Sequence, residues 1–389
     1  LGLEPKRIAA ITFTNKAASE MRERARKLIG KGAQEVMICT FHALGVRIMR
    51  QDGHVLGLKP QFSILDADDV VSILKDCGGT TDANTARQWQ WAISAWKNSG
   101  LNAAQAEAQA KTDSERITAK IMGRYEERLS AYQSVDFDDL IGLPLKLLAQ
   151  FPEVRERWQA AMGHVLVDEY QDTNATQYEV LKHLVGERAR FTAVGDDDQS
   201  IYGWRGATTA NMQDLQRDFH IERIIKLEQN YRSTNTILRA ANAVIRQNTR
   251  RREKSLWSAK GDGSKITLYA FDTDETEGRT VVENIEYDRL TRQIPWGKQA
   301  ILFRTNIQSR PIEAALRKAR VRYRLIGGQS FFDRSEIKDI LAKLSSLGIE
   351  VKSHSSTLED DQVKRVTDLV QGVRPAAARP ASSGVVIRR

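Results

Sequence analysis

Residues 165–172 read Val-Leu-Val-Asp-Glu-Tyr-Gln-Asp, three aliphatic side chains running directly into two acids. Adjacent carboxylates of this kind suit phosphoryl transfer. One can hold a magnesium ion that offsets charge on phosphate oxygens, while its neighbour orients the attacking water. Alone, Asp168 and Glu169 would read as an acidic loop after a strand. A second stretch shifts that balance: residues 195–206, Gly-Asp-Asp-Asp-Gln-Ser-Ile-Tyr-Gly-Trp-Arg-Gly, crowd acids, an amide and aromatics between glycines. Such a loop reads as functional rather than connective.

These groups need elements that place them. The apolar run before Asp168 reads as a central strand of a parallel sheet, buried on both faces. Ligands of such sheets lie beyond the carboxyl ends of the strands, which is where both acids emerge. Residues 7–14 and 36–40 read as further strands of the same sheet, and Thr14 with Asn15 as the cap of a helix running past Met21. His42, just after a strand end, is open to two readings, core histidine or ligand-facing loop. Residues 47–161 carry helical periodicity, many charges and no strong strand, so they read as an inserted helical subdomain. Its Trp89, Trp91 and Trp96 are read as helix core rather than base-stacking groups. Strands are expected at 191–194 and 221–227, and further strands at 265–271, 299–304 and 323–326 with helices between them give a second alternating α/β unit. Residues 375–384, rich in Pro, Ala and Ser, read as disordered.

Bulk properties narrow the classes. The 389 residues can form two or three domains. Lys and Arg number 59 against 50 acids, a net charge of +9 that points weakly to a polyanionic partner. Cys39 and Cys77 have neither metal-ligand spacing nor a disulfide framework, which suits a reducing, cytoplasmic setting. No apolar run is long enough to span a bilayer, so a membrane role is not expected. The chain opens at Leu1 and enters a strand almost at once, which reads as a start inside a domain.

Taken in order, ITFTNKAASEMRER, TFHALG, VLVDEYQDTN, VGDDDQSIYGWRGA, LEQNYRS, AILFRTNIQSR and FFDRSEIKD resemble the motifs of the superfamily 1A DNA helicases, closest to the Rep branch of the Rep, PcrA and UvrD group. The match runs from Arg7 to about Leu344. It implies an α/β fold of tandem RecA-like parallel-sheet domains of the P-loop NTPase type, the N-terminal one incomplete, with ATP and Mg²⁺ between them. The first domain would take residues 1–46 and 162–230, the second 231–345, with 346–389 an atypical tail. The implied activity is ATP-dependent 3′ to 5′ translocation on single-stranded DNA, coupled to unwinding of forked or tailed duplexes in replication or repair. Carried onto matching positions, Asp168 holds magnesium and Glu169 is the general base. Gln199 senses the γ-phosphate, Arg232 is an arginine finger and Tyr231 stacks on adenine. Phe13, Tyr202 and Trp204 line base pockets, while Thr14, Asn15, Thr40, His42 and Arg205 meet the DNA backbone or brace that surface. On spacing alone Phe13 could equally be strand core, and Arg232 could serve only in an ion pair.

Two departures from the family pattern bear on activity. No GxxxxGK[ST] occurs: Gly30-Lys31 is followed by Gly32, and Gly297-Lys298 by Gln299. Without that backbone cradle the chain is expected to bind ATP poorly. Past Leu344, the run LGIEVKSHSSTLEDDQVKRV resembles the small N-terminal domain of the translation initiation GTPase rather than a helicase. A non-catalytic single-strand-binding remnant is therefore the alternative to a helicase. The helicase subunit of a recombination nuclease ranks third, since nothing resembles a nuclease domain.

Overall fold

The computed structural model describes residues 2–326, apart from Ala189, Trp204, Arg205, Thr209, Glu222, Arg223, Thr249 and Arg250. The expectations for FFDRSEIKD and for the tail lie outside the described residues. The chain separates into two units, 1–265 and 266–389, and each is described by itself.

The first unit opens with β1 (Ile8–Thr12), α1 (Asn15–Ile29), β2 (Met37–Thr40) and α2 (Phe41–Asp52). Then come β3 (Ser63–Ile64) and four helices: α3 (Ala67–Gly78), α4 (Ala83–Asn98), α5 (Ala103–Gln109) and α6 (Asp113–Tyr132). After β4 (Ser134–Val135), α7 (Asp139–Gln150) and α8 (Pro152–Ala161), the chain returns to β5 (His164–Val167). It continues through α9 (Ala175–Val185), β6 (Phe191–Ala193), α10 (Ala210–Asp218) and α11 (Asn235–Ile245).

The strands make a parallel sheet in the order β2-β1-β5-β6. Its register pairs Thr12 with Thr40, Ile11 with Val167, and Val167 with Ala193. All four carboxyl ends therefore finish on one edge, and Phe13 to Asn15, His42, Asp168 and Glu169 follow within three residues of three of them. One face of the sheet packs Ile11, Val165 and Val167 against α2, α7 and α9. The other packs Ala10 and Ile38 on Ala18 of α1. That cover stops short of β5: Val165 and Val167 are buried, but Leu166 is 37% exposed, so the strand is not buried on both faces as its apolar run suggests.

Between β2 and β5 the helices α3, α4, α5 and α6 gather around a core of Val70, Leu74, Ile93, Met122 and Tyr125. The same stretch also holds a two-residue parallel pairing, β3 with β4, too short to leave a periodic signal. Trp89 and Trp96 pack against this core, whereas Trp91 is exposed. On α4, Trp89, Ile93 and Trp96 fall at i, i+4 and i+7 on one stripe, and Trp91, two residues from Trp89, turns outward.

The second unit contains α12 (Asp274–Thr291) and α13 (Ser309–Lys318), packed through Val282, Leu316 and Val321. The expected strands at 265–271, 299–304 and 323–326 do not form, nor do the described residues of 221–227. Leu268, Leu302 and Leu227 are exposed there. β-Branched and aliphatic residues favour a strand only when a neighbouring strand supplies ladder bonds and a surface to pack on, and neither is present among the described residues.

Candidate nucleotide and nucleic-acid site

Thr40 ends β2 and Thr14 lies two residues past β1, and each caps the helix that follows. Thr14 accepts a hydrogen bond from Ala17 N–H at 3.1 Å, and Thr40 from Ala43 N–H at 3.2 Å. The N-termini of α1 and α2 thus face the same sheet edge, a setting that favours anions. Asn15 is exposed in the first turn of α1, and His42 is half-buried in the first turn of α2. Between them, the half-buried Phe13 lies against Tyr202, ring centroids 4.6 Å apart and tilted 42°. His42 meets the exposed Phe137 edge-on at 5.9 Å. Phe137 escaped the sequence reading because a single phenylalanine in a helical insert carries no motif signal. Trp204 and Arg205 lie outside the described residues.

At the end of β5 the chain turns sharply. Asp168 N–H still bonds to Ile11 O at 2.9 Å, but Glu169 takes the left-handed region, φ 53° and ψ 42°, and opens a short 3₁₀ turn through Asp172. A non-glycine residue there costs about 1–2 kcal/mol, so the surroundings must hold it. Tyr170 N–H does so by bonding to Val194 O at 3.0 Å, beyond β6. Glu169 Oε2 also accepts from Gln171 Nε2 at 2.7 Å.

Among the described residues, no Lys, Arg or His side chain forms an ion pair with Asp168, Glu169 or Asp172, and each carboxyl shift has a local cause. Burial and then the Glu169 charge push the Asp168 carboxyl above its ordinary range. Burial and the same charge lift Asp172 to about 6, opposed by the Ile201 backbone N–H. The Asp172 Oδ1 and Thr12 Oγ1 atoms are buried with no hydrogen-bond partner among the described residues. Orphaned oxygens beside paired acids fit a hard cation such as Mg²⁺, which takes one or two carboxylates and fills its remaining positions with water and phosphate oxygens. Accordingly, no group of three or more metal-ligating side chains occurs among the described residues.

The 195–202 loop is pinned from two sides. Gln199 donates to Asp196 Oδ2 at 2.9 Å. Arg251 forks onto Asp198 at 2.7 and 2.9 Å, and Lys254 reaches both Asp196 and Asp198. Tyr231 and Arg232 occupy an exposed turn: the Tyr231 hydroxyl donates to Gln229 Oε1 at 2.9 Å, and Arg232 N–H to Asn230 Oδ1 at 2.9 Å. No hydrogen bond or ion pair of the described residues joins either to Asp168, Glu169 or Gln199. The structure therefore brings together Asp168, Glu169 and the loop that carries Gln199, and sets Phe13 beside Tyr202.

Two adjacent acids, two helix N-termini and a tilted pair of aromatic rings thus lie along one edge of a parallel sheet in an α/β fold. Residues 1–220 match the UvrD/REP helicase N-terminal domain and residues 225–359 the UvrD-like helicase C-terminal domain, so the chain belongs to the UvrD/REP helicase family, whose domains are tandem RecA-like folds. It is 46% identical over 350 residues to the ATP-dependent DNA helicase Rep of Salmonella typhimurium, covering 89% of this chain and 52% of that protein. Rep of Escherichia coli K12 gives 45% over 350 residues, with the same coverage. The ATP-dependent DNA helicase PcrA of Staphylococcus aureus Mu50 is 39% identical over 381 residues, covering 96% of this chain and 51% of that protein. The chain spans about half the length of these curated relatives.

Proposed function

We propose that this chain supplies the catalytic acids and part of the strand path of an ATP-dependent helicase that moves 3′ to 5′ along single-stranded DNA. The observation that carries this is the shared sheet edge: Asp168 and Glu169 at the end of β5, and Phe13 at the end of β1 against Tyr202 of the 195–202 loop. In this reading Glu169 takes a proton from the water attacking the γ-phosphate. Asp168 holds the magnesium, which offsets phosphate charge when bound. Gln199, now on Asp196, turns to the γ-phosphate, and Arg232 and Tyr231 of the 228–233 turn complete the nucleotide site. Phe13, Tyr202 and Trp204 stack on bases, while Thr14, Asn15, Thr40, His42 and Arg205 face the backbone. The first RecA-like domain takes 1–46 and 162–230, the insert 47–161 and the second domain 231–345, in a cytoplasmic protein working with replication or repair partners.

Strand displacement on tailed duplexes tests the reading. Unwinding of a duplex with a 3′ single-stranded tail, and not of one with a 5′ tail, is expected. Salt-sensitive single-strand binding with no displacement on either duplex would overturn it in favour of a non-catalytic DNA-binding protein.

A further inference from the structure

Gln171 is 1% exposed, yet both ends of its amide and its backbone carbonyl are engaged. Its Oε1 accepts from Asp196 N–H at 2.9 Å, its carbonyl from Ser200 Oγ at 3.3 Å, and its Nε2 donates to Glu169 Oε2 at 2.7 Å. A backbone N–H can only donate, so the amide oxygen must face Asp196 and the NH₂ must face Glu169. The amide cannot flip without losing both bonds. Close approach fixes it further: a Cβ on Gly195 would lie 3.0 Å from Gln171 Oε1 and 3.3 Å from Tyr170 Cβ, so any other residue there would push the loop or the amide away by a few tenths of an ångström.

We propose that Gln171 is a positioning residue that couples the 195–202 loop to Glu169, so that a strand stacking on Tyr202 sets the orientation of the Glu169 carboxylate. This deepens the function proposed above and rests on it. A shift of the loop moves Asp196 N–H, the amide follows, and the Glu169 oxygen held by Nε2 follows the amide. The other oxygen, Oε1, is left to address water. The charged groups facing the pair are Asp168 and Asp172 on the same segment and Asp196 with Lys254 across the loop.

Two readouts test the coupling. In hydrogen exchange with an oligothymidylate, wild-type protein gains protection at 195–202 and at 168–172. Gln171→Met keeps the first and loses the second. Equal protection of both segments in both proteins would overturn the coupling, whereas no protection at 195–202 in wild type would overturn the DNA reading beneath it. The second readout is the pH profile of DNA-stimulated ATP turnover. Gln171→Glu preserves shape and the bond from Asp196 but sets two carboxylate oxygens together, so turnover falls roughly tenfold to hundredfold and recovers relative to wild type as the pH falls and a shared proton restores the donor. A pH-independent loss, equal with and without DNA, would mark a merely structural role and sink the proposal. Loss of activity with normal melting in Glu169→Gln, run alongside, separates failure of the coupling from failure of the functional reading.

Discussion

Replacing Lys97 by methionine tests whether the helical insert is fastened through a buried charge cluster. Lys97 Nζ lies 2.7 Å from both Asp136 Oδ2 and Asp139 Oδ1, with the lysine and Asp136 side chains each 8% exposed. The Tyr125 hydroxyl donates to Asp136 at 2.9 Å, and Asn98, next on α4, ties Asp138 to Asn174 just past the candidate acids. Burial works against the Lys97 charge, but Asp139 and Asp136 outweigh it and raise its pKa. Methionine keeps the stem and removes the cation, leaving two buried carboxylates facing each other. Breaking a buried pair from one side costs about 3–5 kcal/mol. For a unit of this size each kcal/mol lowers the melting temperature by about 2–4 °C, so a fall of roughly 6–20 °C is expected. Tryptophan fluorescence reports it directly, since Trp89 and Trp96 share α4 with Lys97. The sign of the pH dependence follows from Asp139, which burial lifts to about 7 against the pull of Lys97. A raised carboxyl contributes stability that is present at low pH and lost as pH rises through the folded value. Without Lys97 the deficit is therefore largest above about pH 7 and narrows on acidification. Adding Asp136→Asn and Asp139→Asn should recover much of the loss. A deficit below about 1 kcal/mol, the scale of a solvated surface bridge, would refute the reasoning.

Tyr202→Ala removes half of the ring pair with Phe13, and at about 1–3 kcal/mol per stacked base should weaken single-strand binding about 5- to 150-fold in fluorescence anisotropy; unchanged affinity would place the strand elsewhere. Gly45→Ala would put a Cβ 1.7 Å from the Leu140 carbonyl oxygen, forcing α2 and α7 apart, so a loss of at least about 1–3 kcal/mol in urea midpoints is expected. Asp172, lifted to about 6 by burial and Glu169, contributes stability that is full below its unfolded value and lost as pH rises through about 6. Asp172→Asn should flatten stability between about pH 4 and about pH 7; an unchanged slope would count against the shift.

Much of the first domain was legible because its signals are local. Short aliphatic runs ending in Thr12, Thr40 and Val167 marked strands, and Thr14 announced a helix start through its own side chain. What escaped depends on partners distant in sequence. The polarity of Leu166's surroundings is set by where α1 ends its cover, not by the run Val-Leu-Val. The aliphatic residues at 265–271 and 299–304 looked like strands because composition reports propensity, while pairing needs neighbours. Gln171 carries no signal of its role within VLVDEYQDTN, since the amide is fixed by Asp196 N–H, 25 residues on. Likewise, Lys97 and Asp136 are 39 residues apart, and nothing in either segment announces the pair.

The most direct measurement of the central claim is ATP hydrolysis by this chain at saturating ATP, with and without single-stranded DNA, beside Glu169→Gln. The account predicts turnover that needs high ATP, since no GxxxxGK[ST] loop cradles the phosphates, yet is stimulated by DNA and reduced by about 10²-fold or more in the variant, with single-strand binding preserved. DNA-stimulated turnover that survives Glu169→Gln, or no turnover with DNA binding intact, would contradict it.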